Sequence, residues 1–267
     1  MLKRSIKVYV FLIIILTGFA FAGLQWQMVV KSESMGKQSK MKMQIYAQKG
    51  NVREEFIEVD RSEGILNTPG AYWLYRGNEN SIYIVNPKEK NYLTMNLDSI
   101  QQAASTMMQQ VQIKVNNLKV DVKQLPSEVV AGYKCKHINI NTSYDLEMNF
   151  SGMNMKTKVE RSEEVWGTSS ISTSELADAF RRKTFKTGIK DIDSLVQINI
   201  ESQKDLGFII KIVNVEKTTD FSGRTTTRKT ESTNLNIITK SLPNNLFSIP
   251  KDYKMVNLKR STKTNMD

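Results

Sequence analysis

The sequence predicts a mainly β protein built on one large antiparallel sheet that curves to bury one face. Apolar and polar residues alternate with a period of two along most of the chain, which is typical of half-buried strands. Short turn signals, such as residues 49–51 and 86–87, separate the alternating segments. Helical spacing occurs at two places only, so we expect two short helices beside about a dozen strands.

The first strands place large apolar side chains on one face. Trp26 and Met28 alternate with polar neighbours in the first segment, and Met41, Met43 and Ile45 do so in the second. Side chains two residues apart on a strand share a face. These five residues are therefore expected to lie together on the concave side of the sheet.

A third strand follows the turn at residues 49–51. It covers residues 52–59, has Arg53 near its start, and carries Glu54 and Glu55, which we expect to be solvated charges. Three further short strands are predicted by the same alternation, at residues 71–75, 81–85 and 91–97.

The alternation breaks at Asp98, where a helix is predicted. Asp98 and Gln101 have the spacing of a helix-starting pair. Ile100, Met107 and Met108 then fall on one helical stripe. Two interpretations fit: plain packing against the sheet, or a lid over its concave face, because methionine adapts to varied apolar partners.

A hairpin is predicted around Asn116 and Asn117. The apolar parity changes across these two residues, so a two-residue turn between them would place Ile113 opposite Val120 on one face. The sequence therefore predicts two antiparallel strands joined at the two asparagines.

The second helix and the last strands are predicted from the final third of the chain. Ser172 and Glu175 form a capping box, which predicts a helix there. Residues 196–200 alternate as a strand. Residues 222–223 are typical of a hairpin tip, and the return arm at residues 224–233 is almost wholly polar.

The chain begins with the features of a secretory signal peptide. Residues 1–22 have a basic start, an apolar run and small residues at the end, which predicts cleavage before Gly23. A retained membrane anchor is the alternative. The expected location is periplasmic or extracellular, with one domain at residues 23–253 and a polar basic tail at residues 254–267.

The net charge of +11 comes from basic residues dispersed among acidic ones. Such a surface is normally solvated, and it permits peripheral contact with anionic lipid headgroups. Nucleic-acid binding is disfavoured because no basic stripe is present. No second apolar run approaches membrane-spanning length.

Catalytic and metal-binding patterns are scarce. The chain has one histidine, His137, and one cysteine, Cys135, so any nucleophilic triad would depend on His137 alone. Met-x-Met pairs such as Met41 and Met43 contain soft thioether ligands that suit Cu(I), but the same spacing arises from apolar lining of a strand. We therefore expect no enzyme activity and no cofactor.

Four short segments resemble an exported bacterial family known only as a domain of unknown function, and that family in turn resembles the LolA and LolB lipoprotein carriers and receptors. They are residues 49–53, 130–135, 164–166 and 246–253. The resemblance implies an unclosed β-barrel whose mouth is covered by helices and whose cavity holds acyl chains. It also implies a lid-gating role for Arg53. No lipid-attachment cysteine is present, so the chain is unlike the anchored receptor.

Together these features predict a non-enzymatic envelope protein that binds a lipid or lipoprotein acyl chain in a concave cavity. The alternative is a structural or protein-interaction module whose core is filled by its own side chains; an enzyme or Cu(I)-binding protein is a distant third. The predicted cavity lining is Trp26, Met28, Met41, Met43, Ile45, Arg53, Met107 and Met108.

Overall fold

The structure is a computed structural model that describes residues 23–60, 67–109, 112–150, 153–173 and 190–256. The predicted signal peptide, most of the helix predicted from Ser172, and the tail beyond residue 256 lie outside these ranges. Among the described helices, none combines the length and apolar character needed to cross a bilayer.

Twelve strands form one sheet within the described ranges. Their bounds are β1 Gly23–Ser34, β2 Lys37–Gln48, β3 Asn51–Val59, β4 Tyr72–Arg76, β5 Ser81–Asn86, β6 Asn91–Asn96, β7 Gln112–Val130, β8 Tyr133–Phe150, β9 Met153–Thr168, β10 Phe208–Thr219, β11 Thr225–Lys240 and β12 Lys254–Met255. The mainly β prediction is confirmed.

The strand order is β12-β6-β5-β4-β3-β2-β1-β11-β10-β9-β8-β7, and β7 does not pair with β12. The sheet is therefore not closed into a barrel. All neighbouring strands are antiparallel except β12, which runs parallel to β6. The first strand lies in the middle of the sheet, between β2 and the late strand β11.

Two-residue turns join several neighbouring strands. Met35 and Gly36 connect β1 to β2, and Ala131 and Gly132 connect β7 to β8, with all four residues at positive φ. This is the turn geometry whose twist matches that of paired strands. Such turns fix the register of the long hairpins.

The predicted hairpin at Asn116 and Asn117 is wrong. Both asparagines lie inside the single strand β7, where the register with β8 shifts between Asn116 and Lys119. Asn117 has a φ of 54° and its side-chain amide donates to Asp145 Oδ2 at 2.6 Å. The register shift marks a bulge at the two asparagines, in which Asn117 takes a positive φ.

Pro126 also lies inside β7, near a second register shift between Leu125 and Glu128. A proline has no N–H to donate to a strand ladder, so it is tolerated at sheet edges and bulges. Both conditions hold for Pro126, because β7 is an edge strand of the sheet and the register shift marks a bulge. This position lets the strand continue through the proline.

The described chain contains two α-helices. α1, Leu97–Gln109, is the helix predicted at Asp98. Its cap is Asn96, whose Oδ1 accepts from Ser99 N at 3.0 Å, and Asp98 instead accepts a hydrogen bond from Asn80 Nδ2. The strand predicted at residues 196–200 is wrong, because those residues belong to α2, Lys190–Gln203.

The sheet has two packed faces in its first half. The inner face is the face of β1–β4 that carries Trp26, Met28 and Met41. Residues from this face and from the β8–β10 region form the main core: Leu24, Trp26, Met43, Ile45, Ala47, Val52, Phe56, Ala71, Cys135, Trp166, Ile171, Phe208 and Ile210.

The outer face is the opposite face of these strands, where Tyr72 and Leu74 lie. The C-terminal segment, residues 242–253, packs on this face through Leu242 and Phe247. α2 covers β7–β9, with Asn199 and Gln203 donating hydrogen bonds to the buried Glu163.

Candidate functional site

Five of the predicted lining residues meet on the inner face. Trp26, Met43 and Ile45 are buried in the main core, and Met28 and Met41 pack against it with partial exposure. The first three are almost completely shielded from solvent. The lining pattern read from the sequence therefore marks a packed core that becomes accessible only towards Met28 and Met41.

Trp26 is fixed at the centre of the main core. Its ring meets Phe208 edge-on, with centroids 5.6 Å apart and planes at 87°. Its buried Nε1 finds no hydrogen-bond acceptor among the described residues. An unsatisfied buried donor is uncommon in folded proteins, and it leaves one polar atom in an otherwise apolar environment.

Arg53 lies on the outer face and does not join the other predicted lining residues. Its guanidinium stacks on Tyr72 at 3.6 Å and donates to Leu246 O at 3.2 Å. It also donates to Glu55 Oε2 at 3.3 Å. Because Tyr46, which faces Arg53 across the ladder, alternates with the core residue Ile45, Arg53 points away from the inner face. It holds the C-terminal segment.

Met107 and Met108 lie in the last turn of α1, which adjoins β6 and β7. Their backbone is therefore placed outside the ladder of β1–β3. Their predicted part in a cavity stays a prediction.

An open cavity of about 600 Å³ lies where the inner face leaves the main core. We call it the inner cavity. Its described lining comes from the ends of β1, β2, β3 and β11 and from the β1–β2 turn: Val30, Ser32, Ser34, Met35, Lys37, Ser39, Lys40, Met41, Val59, Asn67 and Arg228. The volume is in the range of ligand pockets.

The floor and the mouth of the inner cavity differ in chemistry. Val30 and Met41 face each other across the β1–β2 ladder, and Val59 faces Met41 from β3, so the floor is apolar and continues into the main core. Lys37 and Arg228 both lie in the row of Ser34 at the mouth. The result is an apolar floor with cations at its entrance.

The cations at the mouth differ in availability. Lys40 forms an ion pair with Glu58 at 3.0 Å. Lys37 and Arg228 have no acidic partner among the described residues, and both are exposed. The described lining contains no acidic side chain. The mouth therefore favours an anionic group over a cationic one.

Glu54 corrects the expectation that both glutamates of β3 are solvated. It lies on the inner face, opposite Ile45 on one side and Trp73 on the other. Burial raises the pKa of its carboxyl group. Its neighbour Glu55 faces the other way and pairs with Arg53.

A second cavity, of about 420 Å³, lies on the opposite face of the same strand ends. It contains side chains of both charge signs, including Lys31, Glu33, Asp60, Lys229 and Glu231. Asp60 is held there by the backbone N–H of Lys40, which donates to its Oδ2 at 2.6 Å. This cavity lacks the apolar floor of the inner cavity.

His137 is packed between an aromatic ring and two glutamates. Its ring stacks on Trp166 with centroids 4.1 Å apart, and its two nitrogens lie 3.3 Å from Glu128 and 3.1 Å from Glu164. Burial raises the pKa of the nearby Cys135 thiol, which disfavours a reactive thiolate. Within the described ranges, no three His, Cys, Asp or Glu side chains could share a metal ion.

Lys37 and Arg228 were missed as site residues by sequence reasoning. They are 191 positions apart in a chain where cations are frequent. Only the register of β11 on β1 brings them to one row. No local pattern could have identified them.

The sequence matches the family DUF4412, described as a domain of unknown function, over residues 26–253. No curated protein matches it. Among solved structures, the chain is similar to PNGF-II at 12% identity and a TM-score of 0.32, with 88% of this chain and 31% of that chain covered. The chain thus spans about a third of the PNGF-II chain.

Two further structures are similar over most of both chains. A DUF1329 family protein from Desulfovibrio piger ATCC 29098 is 10% identical with a TM-score of 0.29, covering 88% of this chain and 93% of that chain. A Vibrio parahaemolyticus domain, described as an outer membrane lipoprotein-sorting protein domain, is 10% identical with a TM-score of 0.29, covering 86% and 90%. Likeness at this level carries no information about function.

Proposed function

We propose a function for this chain, which belongs to the DUF4412 family, a family of domains of unknown function. The protein is a non-enzymatic envelope protein that binds an anionic lipid. Part of an acyl chain lies in the inner cavity, and the charged end of the lipid lies at the mouth. The observation that carries this proposal is the combination of an apolar floor with Lys37 and Arg228 at the entrance.

Physical chemistry supports an amphipathic ligand. Apolar surface gains about 25 cal/mol for each Å² removed from water, so an acyl chain on Val30, Met41 and Val59 is stabilised by burial. An anionic end gains from the cations at the mouth. A purely polar ligand would leave the floor in contact with water.

A second candidate is the self-filled interaction module. The burial of Trp26, Met43 and Ile45 favours it, because these predicted lining residues are packed within the main core. In this alternative the inner cavity is only the open end of the main core, and it holds no lipid.

Two measurements test the proposal. Mass spectrometry of lipid extracts from protein purified out of its native envelope should find an anionic lipid at a constant ratio to protein. In vitro, palmitate binding should weaken about tenfold in a variant that carries Lys37→Glu and Arg228→Glu, because two favourable charges become repulsive.

The matched control carries Lys31→Glu and Lys229→Glu. These residues lie on the same part of the sheet but line the cavity of the opposite face, and their net charge change is identical. Palmitate binding should be unchanged in the control. Equal losses in both variants, or lipid-free protein from the native envelope, would contradict the proposal and favour the interaction module.

A further inference from the structure

The turn that joins β10 to β11 displays an aromatic side chain to solvent. Phe221 is 75% exposed and makes no ring contact with the described residues. A large apolar side chain at a turn gains nothing from this position in the folded state. It is therefore a candidate contact residue.

The turn is ordered around Asp220. Its Oδ1 accepts from Ser222 N at 2.9 Å and from Arg224 N at 3.0 Å, and its Oδ2 accepts from Arg224 Nε at 3.2 Å. The hydroxyl of Ser222 also donates to it, and these bonds lower the pKa of Asp220. Gly223 supplies the positive φ, 79°, that closes the turn. Phe221 is thus presented by a preformed turn.

The arms of this hairpin are basic. Residues 217–229, which we call the basic tip, contain four cationic side chains and one acidic one: Lys217, Arg224, Arg228, Lys229 and Asp220. The acidic residue, Asp220, already accepts the hydrogen bonds that order the turn. Most other side chains are threonines, which pair across the ladder at Thr218–Thr226 and Thr219–Thr225.

The basic tip lies at the end of the sheet where the inner cavity opens. Ser34, Arg228 and Glu216 form one row across β1, β11 and β10. The hairpin continues three pairs beyond that row, which is about 10 Å. Met35, in the β1–β2 turn at the same end, is 71% exposed. Lys217 forms an ion pair with Glu160 at 3.7 Å, whereas Arg228 and Lys229 have no ion pair with the described residues. Two exposed apolar side chains therefore share an end of the sheet with two available cations.

We propose that the basic tip is a membrane contact site for anionic bilayers. Phe221 enters the interfacial region of the bilayer, and Arg228 and Lys229 bind headgroup phosphates. This is the chemistry of peripheral membrane binding, in which apolar insertion and cationic attraction add. The contact does not require that the inner cavity binds a lipid, but it would place the cavity mouth at the bilayer.

A lipid surface fits the basic tip better than a protein partner. A stable protein interface covers about 800 Å² on each partner and is depleted of lysine at its centre. The basic tip is a two-stranded ribbon with polar arms and one aromatic residue at its end, so it offers no such area. A bilayer needs only the inserted ring and nearby cations.

The first test is sedimentation with vesicles of phosphatidylcholine mixed with phosphatidylglycerol. We expect the full chain to bind these vesicles, to bind pure phosphatidylcholine vesicles weakly, and to be released by salt. Phe221→Ser should weaken the partition coefficient about tenfold. Lys229→Gln should weaken the partition coefficient roughly fivefold.

The matched control is Val129→Ser. Val129 is equally exposed, at 75%, but it lies beside the β7–β8 turn at the opposite end of the sheet. Loss of the Val129 side chain should leave vesicle binding unchanged. If Val129→Ser and Phe221→Ser reduce binding equally, or if neither does, the proposed contact site is wrong.

A second measurement locates the contact directly. In Phe221→Trp, the new indole should shift its emission to shorter wavelength on mixed vesicles and be quenched by brominated lipid, whereas the indole of Val129→Trp should do neither. Because the chain already has three tryptophans, the new indole is read from the difference between the spectra of Phe221→Trp and the unsubstituted chain. A difference spectrum that stays at the solvent value on vesicle-bound protein would overturn the proposal. Palmitate binding is measured separately on the same variants, so failure of this contact is distinguishable from failure of the lipid-binding function.

Discussion

Gln48 and Leu242 are joined by two hydrogen bonds between a side-chain amide and the backbone. Leu242 N donates to Gln48 Oε1 at 2.8 Å, and Gln48 Nε2 donates to Leu242 O at 3.2 Å. Both residues are buried. This contact fixes the start of the C-terminal segment on the end of β2, 194 positions away in sequence.

Gln48→Ala is therefore expected to destabilise the protein by about 2 kcal/mol, because two buried backbone groups lose their partners. Urea unfolding measures the change. Hydrogen exchange should also accelerate in residues 242–253 before it does in β1. Gln38→Ala in the exposed part of the same strand is the control and should change stability by less than about 0.5 kcal/mol.

Glu54→Gln is expected to stabilise the protein by about 1 kcal/mol near neutral pH, because a charged carboxylate is removed from the inner face. The native state raises the pKa of Glu54, so it binds the proton more tightly than the unfolded state does. The destabilisation therefore exists at neutral pH and disappears as pH falls below the ordinary carboxyl range.

Denaturant titrations across pH check this sign. The gain from Glu54→Gln should shrink as pH is lowered. Glu55→Gln is the matched control: it breaks the ion pair with Arg53, so it should not stabilise. A gain that is independent of pH would contradict the interpretation of Glu54.

Arg53→Ala is expected to reduce stability by about 2 kcal/mol and to leave palmitate binding unchanged. It removes the bond to Leu246 O and the stacking on Tyr72. Thermal melts and palmitate titrations separate the two effects. Lys90→Ala, which loses an exposed ion pair with Asp252 on the same C-terminal segment, should leave stability almost unchanged, because solvent screens exposed ion pairs. Weaker palmitate binding in Arg53→Ala would instead support the gating role.

Ala131→Gly is expected to stabilise the protein by about 1 kcal/mol. Ala131 has a φ of 50° in the β7–β8 turn, a conformation that glycine adopts without strain. Ala103→Gly, in the exposed face of α1, should act with the opposite sign, because glycine is unfavourable in a helix by about 1 kcal/mol. Urea unfolding of both variants measures the pair; equal signs would contradict the backbone argument.

The strands in the first half of the sheet could be predicted from sequence because each has one face buried in the main core. The other face of each strand is solvated or partly covered. β1 to β6 and α1 follow the predicted segments closely, and the predicted membership of a family of unknown function is confirmed. Period-two alternation is strongest where a face is buried continuously.

The errors arose where a local pattern permits two structures. Positive φ at Asn117 suits a tight turn and a bulge equally, and only pairing with distant residues of β8 selects the bulge. At residues 196–200 the spacing of two favoured a strand, whereas Ile192, Leu195 and Val196 have the i, i+3, i+4 spacing of a helix that runs into this segment. Asp191 and Asp193 in the first turn of α2 are the helix signal that was overlooked.

The face of Arg53 and Glu54 could have been predicted. Val52 and Phe56 are both buried in the main core, and Glu54 has their parity on β3. The alternation therefore places Glu54 inside and Arg53 outside. The weak local motif around residue 53 outweighed that parity in the sequence-based interpretation.

The central position of β1 has a consequence for how the protein is made. The first strand remains without its second neighbour until residues 225–240 have been synthesised, and the outer face stays bare until residue 253 follows. The nascent chain therefore carries open strand edges and apolar surface through almost its whole elongation. Such long-range pairing makes folding slow and exposes the chain to aggregation. The order of the strands thus delays completion of the sheet until the C-terminal part of the chain is available.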